Sequence, residues 1–188
     1  HELGEQSDYR DALSGATADE SALIERITRS VEDVSRRLYG RSIIPRGALI
    51  RALLAYRHIR AIIEPSAETV FEIGAGSGYL GALLGLSGYR FAATEITQGF
   101  YMAQSQLWES LFGDRFIELA HDARDLASWS SLPARTVVHV PWWKYYTVDP
   151  DKQVRLQADL VTANHTLCEM HTSAFNYTLE ISRRMLGG

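Results

Sequence analysis

Hydrophobic residues recur along the first third of this chain at the spacing of amphipathic helices. Over residues 19–39 the apolar side chains lie three or four positions apart, which predicts a helix that ends at Gly40. We expect Asp19 or Ser21 to cap its first turn, because both have short side-chain acceptors. A wide apolar stripe predicts a second helix over 47–63.

The pattern then changes to short β-branched and aromatic runs that alternate with helical segments. Strands are predicted at 69–73, 90–94, 115–119, 136–140 and 159–163. Helices are predicted at 80–86, 98–112 and 173–186. Strands separated by helices favour an α/β fold with a parallel sheet.

These patterns divide the chain into three parts. We expect residues 1–18 to form a polar, flexible lead-in, residues 19–65 a helical extension, and residues 66–188 an α/β domain. The sequence stops on Gly187-Gly188 after a helix, where a further strand normally follows in such a sheet. We therefore expect this domain to lack its C-terminal strands.

Composition narrows the class of protein. The 188 residues are 46% hydrophobic and 22% charged, as in ordinary globular domains. A net charge of −4 argues against nucleic acid as a partner. Cys168, the single cysteine, excludes an internal disulfide and a thiolate zinc site. Without a signal peptide or a run of about 20 apolar residues, we expect no membrane partner and a cytoplasmic location.

A glycine-rich run, Glu72-Ile73-Gly74-Ala75-Gly76-Ser77-Gly78, follows the first predicted strand and opens a helix. This context is typical of nucleotide-binding turns, where glycines let a ligand approach the backbone. The N–H groups at the helix start suit a carboxylate or a phosphate. The spacing Gly76-x-Gly78-x-x-Gly81 also fits a dinucleotide fingerprint.

Glu72 separates these two ligand classes. Its carboxylate, at the end of the strand, would repel a pyrophosphate and attract an ammonium group. S-adenosylmethionine carries an ammonium, a sulfonium and one carboxylate. The loop therefore favours S-adenosylmethionine over NAD(P).

Two further acids follow predicted strands. Glu95 ends the second strand, 17 residues after Gly78, where a carboxylate can accept two hydrogen bonds from a ribose diol. Asp122 follows the third strand and can accept from an adenine amino group, or cap a turn.

In order, these motifs resemble the series that defines class I S-adenosylmethionine-dependent methyltransferases. The resemblance covers the glycine run, Glu95, Asp122-Ala123 and the segment 159–169 that contains Asn164 and His165, and extends over about residues 69–188. The runs 94–104 and 140–143 are also similar to the sugar O-methyltransferases of that superfamily.

This resemblance implies a doubly wound, Rossmann-like sheet and a methyl transfer by in-line displacement to a small hydroxylated acceptor, such as a sugar. Glu95 would hold the ribose, Ile96 and Ala123 would flank the adenine, and Glu72 would face the ammonium. The residues implied in cofactor binding are Glu72, Gly74, Ala75, Gly76, Gly78, Glu95, Ile96, Asp122, Ala123 and Asn164.

A hydroxyl acceptor must also lose its proton, which calls for a base. We predict His165 as this catalytic base, because its motif position faces the cofactor. His139 lies in an apolar run and is expected in the core, and His171 is expected to cap the following helix. No spacing of acids and histidines is diagnostic of a metal, so no metal site is predicted.

Several interpretations of the function and of individual segments remain open at this point. An NAD(P)-dependent oxidoreductase would use the same glycines, and a non-catalytic scaffold would keep the cofactor fold without its chemistry. The aromatic run 142–146 could form a substrate wall, a protein interface or part of the core. The helices over 19–63 could cover the cofactor or form a contact in a homo-oligomer. The sequence does not identify the acceptor.

Overall fold

The computed structural model describes residues 15–64, 66–122, 129, 132–146, 157–164 and 166–186. In this part of the chain five strands form one parallel sheet: β1 (Thr69–Ile73), β2 (Arg90–Glu95), β3 (Phe116–Glu118), β4 (Val137–Pro141) and β5 (Leu160–Thr162). The α-helices described are α1 (Ala18–Tyr39), α2 (Arg46–Ile62), α3 (Tyr79–Leu86), α4 (Gln98–Phe112), α5 (Trp142–Tyr145) and α6 (Thr172–Leu186).

Every predicted strand and helix is present, with bounds that differ by one residue at most. The predicted α/β fold with a parallel, Rossmann-like sheet is confirmed. The predicted cap of α1 is wrong: Thr17, rather than Asp19 or Ser21, caps the helix. Its hydroxyl accepts the Glu20 N–H at 3.2 Å, and the Glu20 carboxylate accepts the Thr17 N–H at 2.8 Å. This reciprocal pair satisfies two backbone donors that the helix leaves open.

The order of strands in the sheet is β3-β4-β2-β1-β5. After β2 the chain forms β3 at an edge of the sheet and returns to place β4 between β3 and β2. It then crosses to the other side of β1 to form β5. The connections therefore run in opposite directions from β1, and the crevice at the carboxyl ends of β1 and β5 is the position where open α/β sheets bind ligands.

Helices cover both faces of the sheet, as expected for buried parallel strands. Val70 belongs to a hydrophobic cluster with α1–α4, whereas Phe71 belongs to a second cluster that includes Ile181 of α6. The N-terminal helices supply Ile27 and Leu53 to the first cluster. The helical extension thus packs on the α/β domain and lies close to the end of β1.

Candidate functional site

Three glycines shape the turn between β1 and α3. Gly74, Gly76 and Gly78 have positive φ angles of 70°, 53° and 74°. A Cβ on Gly74 would lie 1.9 Å from Oγ1 of Thr166, in the segment after β5. Because a side chain at Gly74 would displace that segment, the glycine lets the turn and the end of β5 approach each other.

The Glu72 side chain is buried at the carboxyl end of β1, with 2% of its surface exposed. Asn164, which follows β5, donates its Nδ2–H to Oε1 of Glu72 at 3.2 Å. Oε2 is also buried, and no described residue donates a hydrogen bond to it. Burial and, to a smaller extent, the nearby Glu95 together raise the pKa of Glu72 to about 8, against the lowering effect of Asn164. The structure thus joins Glu72 and Asn164, two residues that the sequence implicates.

Glu95 holds the glycine turn in place from the end of β2. Its carboxylate accepts the Gly76 N–H at 2.9 Å and the Thr97 N–H at 2.8 Å. A carboxylate offers about four acceptor positions, so two backbone donors leave capacity for further hydrogen bonds. Gly78 is more buried than Gly76. Its carbonyl oxygen accepts the Trp108 Nε1–H at 2.9 Å.

One cavity of about 300 Å³ separates the glycine turn from α2, and we call it the α2 cavity. Glu72 and Asn164 line this cavity at the ends of the strands, and Arg51 lines it from α2. The remaining lining residues are Ala48, Ala52, Ala55, Gly74, Ala75, Gly76, Ser77, Leu80 and Phe100. The α2 cavity therefore combines one acid, one guanidinium and a glycine backbone.

A second cavity of about 330 Å³, which we call the aromatic cavity, lies on the other side of Gly74. Ile96 lines it, as do the aromatic residues that follow β4. Thr94 also lines this cavity, and its Oγ1 is buried without a hydrogen-bond partner among the described residues. The remaining lining residues are Ile73, Gly74, Trp142, Tyr145, Tyr146, Thr166, Glu169, Met170, His171 and Ala174. Three residues of the aromatic run 142–146, Trp142, Tyr145 and Tyr146, thus form part of a cavity wall.

Asp122 lies away from both cavities. It follows the edge strand β3, and β4 stands between β3 and β2. The backbone carbonyl of Asp122 accepts a hydrogen bond from Lys144 Nζ at 2.6 Å. Because β4 is the neighbour of β2, the residue that follows the strand beside β2 is Trp142 and not Asp122. Ala123 lies outside the described residues.

The three candidate histidines differ in their surroundings. His165, the predicted base, lies outside the described residues. His171 caps α6 as predicted, since its Nδ1 lies 3.0 Å from Oγ of Ser173 and accepts the Ser173 N–H at 3.4 Å. His139 is fully buried, as predicted, with Nδ1 3.3 Å from the Glu118 carboxylate. Burial lowers the pKa of His139 despite this carboxylate, which keeps the imidazole neutral.

Sequence reasoning missed Arg51 and Glu169 as residues of these cavities. An arginine on the polar face of an amphipathic helix has the same local pattern whether it faces water or a cavity. Glu169 ends the segment 159–169 that carries the resemblance, but the sequence assigned it no role in the site. Among the described residues no group of three or more acids, histidines or cysteines is arranged to hold a metal ion.

In the described part of the chain no helix has the length and apolar character needed to cross a bilayer. Comparison of the chain with protein-family models and with curated proteins gave no match.

Proposed function

We propose that this protein is an S-adenosylmethionine-dependent methyltransferase that acts on a small hydroxylated acceptor, such as a sugar. The observation that carries the proposal is the Glu72 carboxylate in the α2 cavity. One of its oxygens is buried without a donor among the described residues, and the other has a single amide donor. An ammonium group would donate the missing hydrogen bond. Its positive charge would also stabilise the ionised form of the carboxylate, which burial disfavours.

The other parts of such a ligand also have candidate partners. The remaining acceptor capacity of Glu95 suits a ribose diol, and its hydrogen bond to Gly76 keeps the turn open for the ligand. Ile96 and Trp142 line the aromatic cavity and offer apolar surfaces to a nucleobase. When bound, the cofactor would supply an activated methyl group on a positively charged sulfur.

The protein's own task would be to align the acceptor and exclude water from it. The acceptor would lie beside the nucleobase in the aromatic cavity, whose walls are mostly apolar and to which Glu169 adds one carboxylate. A hydroxyl acceptor transfers its proton to a base as the new bond forms. His165 remains our predicted base, and Glu169 is a second candidate because it lines the cavity.

A second candidate function is an NAD(P)-dependent oxidoreductase, which one observation favours. A Cβ on Gly81, the third glycine of the dinucleotide spacing, would lie 2.4 Å from the Phe91 ring. Such close packing of helix on strand is the role of that glycine in dinucleotide-binding folds. Against this, a pyrophosphate beside the turn would meet the buried carboxylate of Glu72.

Isothermal titration of the purified chain with S-adenosylmethionine, S-adenosylhomocysteine, NAD⁺ and NADP⁺ separates these functions. We expect both sulfur nucleosides to bind and neither dinucleotide to do so. Incubation with S-adenosylmethionine and a panel of sugars and other small alcohols should then release S-adenosylhomocysteine. Binding of a dinucleotide alone would overturn the proposal, and cofactor binding without turnover on any hydroxylated acceptor would favour a non-catalytic scaffold.

A further inference from the structure

The face of α2 that borders the α2 cavity has an unusual composition. Four of its residues line the cavity, at positions 48, 51, 52 and 55, which is the spacing of one helical face. Three of them are alanines, which leave room between the helix and the glycine turn. Arg51 is the one long side chain of the four. A cation from α2 thus lines the same cavity as Glu72.

Packing against α1 and α3 fixes the position of α2, the helix that carries this arginine. Leu49 and Leu53 are buried in the cluster shared with α3. Arg57 donates two hydrogen bonds to the Glu20 carboxylate of α1, both at 2.8 Å, and the Tyr56 hydroxyl lies 2.8 Å from Oγ of Ser87 after α3. Arg51 is therefore carried by a helix that is tied to its neighbours on several sides.

We infer that Arg51 binds the α-carboxylate of the ligand's amino-acid end, so that the helical extension forms part of the cofactor site. This inference rests on the proposed function. An α-amino acid carries an ammonium and a carboxylate on one carbon, and the cavity is lined by both an acid, Glu72, and a guanidinium, Arg51. A guanidinium binds a carboxylate through two parallel hydrogen bonds, which a lysine cannot do.

It follows that the site distinguishes complete amino-acid nucleosides from those that lack the carboxylate. The matched probes are S-adenosylmethionine and its decarboxylated analogue, which keeps the ammonium and the sulfonium. Loss of one charge-assisted contact corresponds to a decrease in affinity of about 10- to 100-fold. The unmodified protein should show this preference for S-adenosylmethionine, and Arg51→Ala should abolish it by weakening the binding of S-adenosylmethionine alone.

The test is isothermal titration of both probes with the full chain, Arg51→Ala, Arg51→Lys and the control Arg46→Ala. Arg46 is an exposed arginine at the start of the same helix and is not among the residues that line the α2 cavity. We expect Arg46→Ala to keep the full preference and Arg51→Lys to recover part of it. Thermal melts establish that each variant is folded.

The possible failures are distinct. If the unmodified protein binds neither probe, the proposed function fails and the role of Arg51 falls with it. If it binds both probes equally, or if Arg51→Ala retains the preference, the role of Arg51 is overturned while cofactor binding stands.

Discussion

Two glutamates at the carboxyl ends of separate strands in the same sheet have opposite environments. Glu118, at the end of β3, accepts hydrogen bonds from Ser105 Oγ at 2.6 Å, the Ala120 N–H at 3.0 Å and the Tyr101 hydroxyl. His139 Nδ1 adds a fourth contact at 3.3 Å. Glu72, at the end of β1, has one side-chain amide as its donor among the described residues.

The pKa values follow this difference. Burial raises the pKa of both carboxyl groups, but at Glu118 the hydrogen bonds from His139, Ser105 and Tyr101 outweigh it and lower the pKa to about 2. At Glu72 burial prevails and the pKa is about 8. Residues of the protein therefore satisfy the hydrogen-bonding capacity of the Glu118 carboxylate, which has a structural role and joins α4 to β3 and β4. Glu72 has the properties expected of a group whose partner is a ligand.

Removal of the structural carboxylate of Glu118 should have the largest effect on stability. Glu118→Ala leaves the Tyr101, Ser105 and His139 donors without their acceptor, which should lower the free energy of unfolding by about 3–5 kcal/mol at pH 7. Because the folded pKa is lowered, the stabilisation by Glu118 is present above about pH 4.5 and lost as the pH falls toward 2. The difference between the two proteins in urea unfolding should shrink accordingly at low pH.

The control for this variant is Glu109→Ala, since Glu109 is an exposed acid on α4. Its effect should stay within about 0.5 kcal/mol. A loss of less than about 1 kcal/mol in Glu118→Ala would contradict the assignment of Glu118 as a structural carboxylate.

Glu72→Gln should have the opposite effect on stability: as the pH rises, its free energy of unfolding should increase relative to that of the unmodified protein. The folded pKa of Glu72 is raised, so its contribution to stability is present below about pH 4.5 and is lost as the pH rises through 8. Between pH 6 and pH 8 the unmodified protein should therefore lose about 2 kcal/mol of unfolding free energy relative to Glu72→Gln. Urea unfolding at a series of pH values measures this gap.

Glu68→Gln serves as the control, because Glu68 is exposed and only four residues away. It should follow the unmodified protein at every pH. A constant gap between Glu72→Gln and the unmodified protein from pH 6 to pH 8 would mean that Glu72 has an ordinary pKa, and the contrast with Glu118 would disappear.

The sequence predicted the elements of this fold well because their ends have local signals. Gly40 ends α1 in the left-handed conformation, and Gly113 follows α4. The Glu72–Asn164 contact could also be predicted, since Glu72 lies at the end of one strand, Asn164 follows another, and the carboxyl ends of parallel strands share one edge of the sheet.

The order of the strands was not predictable in the same way. The pattern of 136–140 indicates a buried strand, but its insertion between β2 and β3 depends on pairing between distant segments. That insertion moves Asp122 away from the cavities and brings Trp142 beside β2. Arg51 was missed for a related reason: helical periodicity identifies a polar face, and only packing decides whether that face borders solvent or a cavity.

The smallest expected effect is the release of a proton when the proposed cofactor binds, which tests the contrast between Glu72 and Glu118 directly. At pH 7 most of the Glu72 carboxyl groups of the ligand-free protein are protonated, whereas Glu118 is ionised. A ligand ammonium favours the ionised form of Glu72, so binding of S-adenosylmethionine should release close to one proton. Its affinity should then rise up to about tenfold, or 1.4 kcal/mol, from pH 6 to pH 7.

Titration in two buffers of different ionisation enthalpy counts the released protons directly. In Glu72→Gln the release and the pH dependence should both vanish, and affinity at pH 7 should fall because the amide attracts an ammonium less strongly. Glu68→Gln should keep both effects. Because Glu118 holds the same charge throughout this pH range, it can contribute no proton to the measurement. A proton release that survives in Glu72→Gln would therefore place the titrating group elsewhere and remove the electrostatic argument for a cationic ligand at this turn.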